Sequence, residues 1–116
     1  MSARASAVAE ILWELKRADK VAKFTDIAAR AGFSAGANGR AMATCLKAVR
    51  RDWPHLEWWR AISDDATVKA DGEQVGHVTA WGVATGEEKA GRLTLKLDDE
   101  QVMNWDEASS PSAVNG

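Results

Sequence analysis

Cys45, His55, His77 and the adjacent pair Trp58–Trp59 are the side chains of this 116-residue chain with the most distinctive chemistry to offer. A thiol reacts as its thiolate, which needs an electropositive and accessible setting. Cys45 instead shares a helical stripe with Met42, Leu46 and Val49, so it reads as a buried structural thiol. With His55 and His77 it makes only three soft ligands, at no spacing that builds a tetrahedral metal site. No serine sits in a nucleophile motif, and "GANG" at 36–39 lacks the Lys-Ser/Thr of a phosphate loop. Asp64–Asp65 and Asp98–Asp99–Glu100 fall in turn-like or helix-start stretches, where carboxylates are usually solvated caps. The residues therefore predict no catalytic centre, no cofactor and no metal.

Binding is better served. An indole has a broad apolar face on which an extruded nucleobase can stack. In "HLEWWRAIS", positions 55–63, Trp58 and Trp59 read either as strand core or as such a platform. An extended strand would send them to opposite sides, one to the core and one to a pocket. Residues 1–51 carry ten Lys/Arg against four Asp/Glu, a net +6. Residues 52–116 carry five against thirteen, a net −8, which returns the chain's overall −2. A basic first half fits a nucleic-acid face, and an acidic second half would confine such contact to one side. Two solvated faces of opposite sign are the plainer alternative.

These side chains need a scaffold, and the apolar spacing supplies one. Val8, Ile11, Leu12 and Leu15 predict a helix over about 4–18. Phe24, Ile27, Ala28 and Ala31 predict a second, with Thr25 as N-cap and Gly32 as its end. "FSAGANG" is a turn, and a third helix follows with Asn38 as cap and a basic face of Arg40, Thr44, Lys47 and Arg51. Residues 24–51 thus read as helix–turn–helix. Pro54 breaks the third helix. "WWRAIS" and Thr67–Lys69 read as a hairpin, Glu73–Trp81 as a weak helix, and "ATGEEKAG" as a loop. "RLTLKL" alternates strictly and is the cleanest strand, and a last helical turn is expected with Asp98 or Asp99 as cap. Length predicts one domain, residues 1–108, with 109–116 a disordered tail. No apolar run approaches the roughly 20 residues of a membrane span. The start "MSARASAVAEILWELKR" is a poor signal peptide, and a lone cysteine fits a reducing cytosol. A cytoplasmic protein is expected, nucleoid-associated if bacterial.

With the blocks laid out in order, "KVAKFTDIAARAG" resembles the "KVTTYGDIAxLAG" block of O6-alkylguanine-DNA alkyltransferases. "EWWRAIS" falls where those enzymes carry "PCHRVIN", and Gln74 with "WGV" at 81–83 resembles their "Q…L…EGV" segment. The resemblance runs over about residues 8–83. Trp58, Trp59 and Trp81 stand where the enzymes have the alkyl-accepting cysteine, its histidine and the orienting glutamate. Without a thiolate that chemistry is closed. Tryptophan in the cysteine position is the mark of alkyltransferase-like proteins, which the resemblance implies bind O6-alkylguanine in DNA, flip it and flag it for nucleotide excision repair.

The resemblance further implies that Arg40 is the finger filling the gap left by the flipped base. It sets Phe24 in the place of a tyrosine that crowds the 3′ phosphate. It implies that Trp58 lines the base pocket, that Arg60 buttresses it, and that Ser63 replaces the asparagine holding the turn. Residues 66–72 would close over the base. The departures from the family pattern are Glu57 for the motif proline, Trp59 for histidine and Phe24 for tyrosine. The expected fold is α+β, a winged helix–turn–helix with an added C-terminal strand and helix. The expected DNA contacts are Phe24, Thr25, Asn38, Gly39, Arg40, Thr44 and Lys47. The expected lesion pocket is Trp58, Trp59, Arg60, Ser63 and Lys69. Expected partners are duplex DNA with alkylated guanine and nucleotide excision repair proteins, bound by a monomer with no membrane contact. A sequence-specific winged-helix regulator, or an interaction module that has lost lesion binding, are the alternatives.

Overall fold

The computed structural model describes residues 3–34, 36, 39–103 and 105. Helix α1 (Ala3–Ala18) buries Val8, Ile11, Leu12 and Leu15 along one stripe, as their 3.6-residue period requires. A two-residue strand β1 (Ala22–Lys23) leads into α2 (Phe24–Ala31). Gly32 ends α2 in the left-handed region at φ 89°, where its N–H closes back on Ala28 and Ala29. Helix α3 (Arg40–Asp52) follows and buries Met42, Cys45, Leu46 and Val49. α1 lies against both α2 and α3, and Leu12, Leu15, Ile27, Met42 and Val49 close the core between them.

A second core lies under the sheet. Trp58–Arg60 forms a 3-10 turn, followed by β2 (Ala61–Ile62), β3 (Thr67–Lys69), α4 (Glu73–Trp81), β4 (Ala84–Lys89) and β5 (Arg92–Lys96). β1 pairs with β2 in parallel, and β3-β5-β4 form an antiparallel sheet with β5 at its centre. Val21, Trp59, Ile62, Val68, Val78, Val83 and Leu95 fill the space between. The molecule is therefore α+β, with four helices and two small sheets among the described residues.

Three sequence expectations change here. "WWRAIS" is mostly a 3-10 turn, because Arg60 N–H bonds back to the Glu57 carbonyl and turns the chain away from extension. The expected 61–69 hairpin does not form a ladder, since β2 pairs with β1 and β3 with β5. The expected loop "ATGEEKAG" is largely strand β4, whose exposed polar side chains hide a period that only its neighbour β5 reveals. The C-terminal strand β5 lies at the centre of its sheet rather than at an edge. Beyond it, a 3-10 turn (Asp99–Gln101) carries the Asp98 capping box. Val21 then exchanges backbone hydrogen bonds with Gln101 and Met103 at 2.8 Å each. The expected tail, 109–116, lies outside the described residues.

Candidate nucleic-acid interface

An open cleft of about 880 Å³ lies between the start of α3, the 3-10 turn and β3. A 3-10 turn rotates about 120° per residue, so Trp58 and Trp59 diverge even without a strand. Trp58 is half-buried and lines the cleft. Trp59 is 8% exposed and belongs to the core under the sheet. It stacks on His77 at 6.0 Å between centroids with planes 4° apart, and His77 meets Trp58 edge-on at 5.9 Å.

Arg60 explains why the turn is rigid. Its guanidinium is buried over Trp59 at 4.6 Å and Trp81 at 5.2 Å. It donates to Glu57 at 2.8 Å, to the Lys20 carbonyl at 3.0 Å and to Asp19 at 3.1 Å. A buried cation is tolerable only when it is paired and hydrogen-bonded in this way. The Trp81 indole N–H donates to the same Asp19 oxygen at 2.7 Å. That bond, then Arg60, hold the Asp19 carboxyl below its ordinary pKa. Gln74 pins the turn from α4, its amide donating to the Trp59 and Ala61 carbonyls at 2.9 and 2.8 Å.

Of the residues expected at the lesion pocket, Trp58, Ser63 and Lys69 line the cleft. Trp59 and Arg60 do not; both are buried behind Trp58. The motif resemblance assigns them to the pocket, but the tight turn sends both side chains into the core. Of the expected DNA contacts, Phe24 and Gly39 line the cleft, and Arg40, Thr44 and Lys47 are exposed on α3. Asn38 lies outside the described residues, and Gly39 holds the N-cap position of α3. Thr25 is not the N-cap of α2, which is Lys23. Instead Asp64 reaches across to cap that helix, accepting from the Thr25 N–H at 2.9 Å and from its hydroxyl. Sequence reasoning missed Arg50 and Arg92, and took Asp64 for a solvated cap. Arg50 was detectable, since it lies seven residues, two helical turns, after Ala43, and both line the cleft. The helix that Asp64 caps carried no signal, because Thr25 lies 39 residues away in the sequence.

The cleft carries three acids, Asp64, Asp65 and Glu73, and three bases, Arg50, Lys69 and Arg92. Ser63 Oγ lies 2.7 Å from both Asp65 Oδ1 and the Thr67 carbonyl, and Thr67 Oγ1 donates to Asp65 at 2.8 Å. The bonds from Ser63 and Thr67 hold the Asp65 carboxyl below its usual range, with help from Arg92. Arg92 in turn donates to Thr67 Oγ1 and its carbonyl at 2.8 and 3.0 Å. Arg50 lies 4.2 Å over the Trp58 ring and donates to Glu73 at 2.7 Å.

Gly39 controls how closely α2 and α3 approach. Its φ is +74°, and a Cβ there would come within 2.8 Å of the Phe24 ring. Gly39→Ala is expected to destabilise the fold by about 1–3 kcal/mol, read as a lower urea midpoint. An unchanged midpoint would mean that the Phe24 ring yields freely.

No family model and no curated protein matches the chain. A solved structure of S. pombe Atl1, in complex with damaged DNA containing O6-carboxymethylguanine, superposes on it with a TM-score of 0.68. Identity is 22%, across 90% of this chain and 97% of that one. The chain has the Atl1 fold. Atl1 is an alkyltransferase-like protein, the kind of protein that the motif order over residues 8–83 resembles. Coverage of this breadth leaves little of Atl1 outside the shared architecture.

Proposed function

We propose that this protein is a non-enzymatic sensor of the alkyltransferase-like kind. It binds duplex DNA carrying O6-alkylguanine, extrudes the damaged base and holds it against Trp58. The observation that carries this reading is the half-buried Trp58 ring at an open cleft beside the start of α3. Arg40, one residue from the cleft-lining Gly39, fills the space the base vacates. Extrusion costs a few kcal/mol of lost stacking, and a side chain in the gap offsets part of that. Thr44 and Lys47 contact the backbone. The Atl1 fold, met in a complex with damaged DNA, supports the same partner for this chain. Chemistry on the alkyl group is absent from this reading, because Trp58 replaces the thiol and Cys45 is buried in the helical core. Burial also raises the Cys45 thiol pKa, away from reactivity. The bound lesion then marks the site for nucleotide excision repair, with a cytoplasmic monomer as the working species.

Binding to paired duplexes, one with O6-methylguanine and one with guanine, tests the proposal. The lesion duplex is expected to bind at least about tenfold tighter, since stacking one base on an aromatic ring contributes about 1–3 kcal/mol. Affinity for both should fall steeply with salt as phosphate contacts release counterions. Equal affinity would end the lesion reading, and an enriched consensus from a random duplex library would replace it with sequence-specific regulation.

A further inference from the structure

We propose that Arg50 sets a charge preference at the cleft: guanines whose O6 substituent carries a carboxylate bind better than those with a neutral substituent of the same size. The inference rests on the lesion-binding reading above. It starts from what covers Trp58. The Arg50 guanidinium lies 4.2 Å over the ring, a contact distance that leaves no room for a base between them. A base stacking on that face must displace it. Among the described residues Arg50 is held by one hydrogen bond, to Glu73 at 2.7 Å, and both side chains are well exposed, at 43% and 71%. Such a pair is weak and exchangeable.

Where the displaced guanidinium goes decides which lesion is favoured. Its fork has five N–H donors, and among the described residues one is engaged. The carboxylates at the cleft do not compete evenly for it. Asp64 is taken by Thr25, and Asp65 by Ser63 and Thr67. Lys69 lines the same cleft and makes no hydrogen bond or ion pair among the described residues. Two cationic groups thus have donors to spare, and Glu73 is the acid held only by Arg50. A neutral adduct displaces Arg50 from the ring and offers its charge nothing. A carboxylate adduct offers a planar acceptor that the fork can grip with two bonds, in place of Glu73.

Three matched duplexes test this: guanine, O6-carboxymethylguanine and its neutral amide isostere, O6-carbamoylmethylguanine. The wild-type protein is expected to bind the carboxylate at least about tenfold tighter than the amide, the scale of a charge-assisted hydrogen bond. Arg50→Gln should bring the two to within about twofold, and Arg50→Lys should restore part of the difference. Glu73→Gln, which removes the competing acid, should widen it. Equal affinity of the wild type for the two lesions, both above guanine, overturns the charge preference and leaves lesion binding standing. A preference that survives Arg50→Gln also overturns it. If neither lesion exceeds guanine, the underlying lesion reading fails instead.

Discussion

Trp59→Ala is expected to lower the unfolding free energy by about 3–5 kcal/mol, the range for removing a buried large aromatic. Trp59 is 8% exposed and lies in the core under the sheet. Its loss leaves a cavity next to Val68, Val78 and Leu95, which are themselves held in strands and a helix that cannot simply collapse inward. It also removes the ring on which the buried Arg60 guanidinium rests at 4.6 Å. The cation keeps Glu57, Asp19 and the Lys20 carbonyl, but water now reaches it from one side. Small domains have about 5–15 kcal/mol in total, so the variant should be near the edge of folding at 37 °C. Urea denaturation followed by tryptophan fluorescence measures the change. Trp59→His, which places at position 59 the residue of the alkyltransferase motif, keeps a flat ring over Arg60 and should cost less. A loss below about 1 kcal/mol for Trp59→Ala would contradict the core role.

Trp58→Ala is expected to do the reverse: modest loss of stability, large loss of lesion preference. Trp58 is half-buried and lines the cleft, so its removal uncovers little enclosed space. Removing the aromatic platform should cut discrimination between lesion and plain duplex by roughly 10- to 100-fold, the equivalent of about 1–3 kcal/mol of base stacking. Binding to undamaged duplex should hardly change if, as proposed, phosphate contacts on α3 supply that affinity. The two variants together form a crossed test. If Trp58→Ala unfolds the protein while leaving lesion preference in the folded fraction, the cleft is not the recognition surface. The electrostatic roles are separable as well, since Arg60 is locked inside a hydrogen-bonded network whereas Arg50 is exposed and held by one acid.

The helical part of the fold was legible in the chain because helix signals are local. The stripe Val8–Ile11–Leu12–Leu15, the Gly32 stop and the Met42–Cys45–Leu46–Val49 stripe each depend on neighbours within two turns. The alternation of "RLTLKL" marked β5 for the same reason. The absence of a usable thiol was equally local, since Cys45 sits on an apolar helical face. The sequence offered Trp58 and Trp59 opposite sides only if the segment were a strand, and its motif order put both in the pocket; a 3-10 turn is what separates them.

What only the tertiary structure decided is everything that pairs residues far apart in the chain. β4 is strand because β5 accepts it as a partner, not because "ATGEEK" has strand chemistry. Asp64 caps α2 across 39 residues, and Trp81 and Arg60 converge on Asp19 across 62 and 41. Burial of a cation is set by the partners that surround it, and no window along the sequence contains them all. Thus the sequence alone determined the helical stripes and the burial of Cys45 on one of them. The arrangement of the tryptophans, with Trp58 lining the cleft under Arg50 and Trp59 sealed in the core over Arg60, follows from the second core closing around the turn.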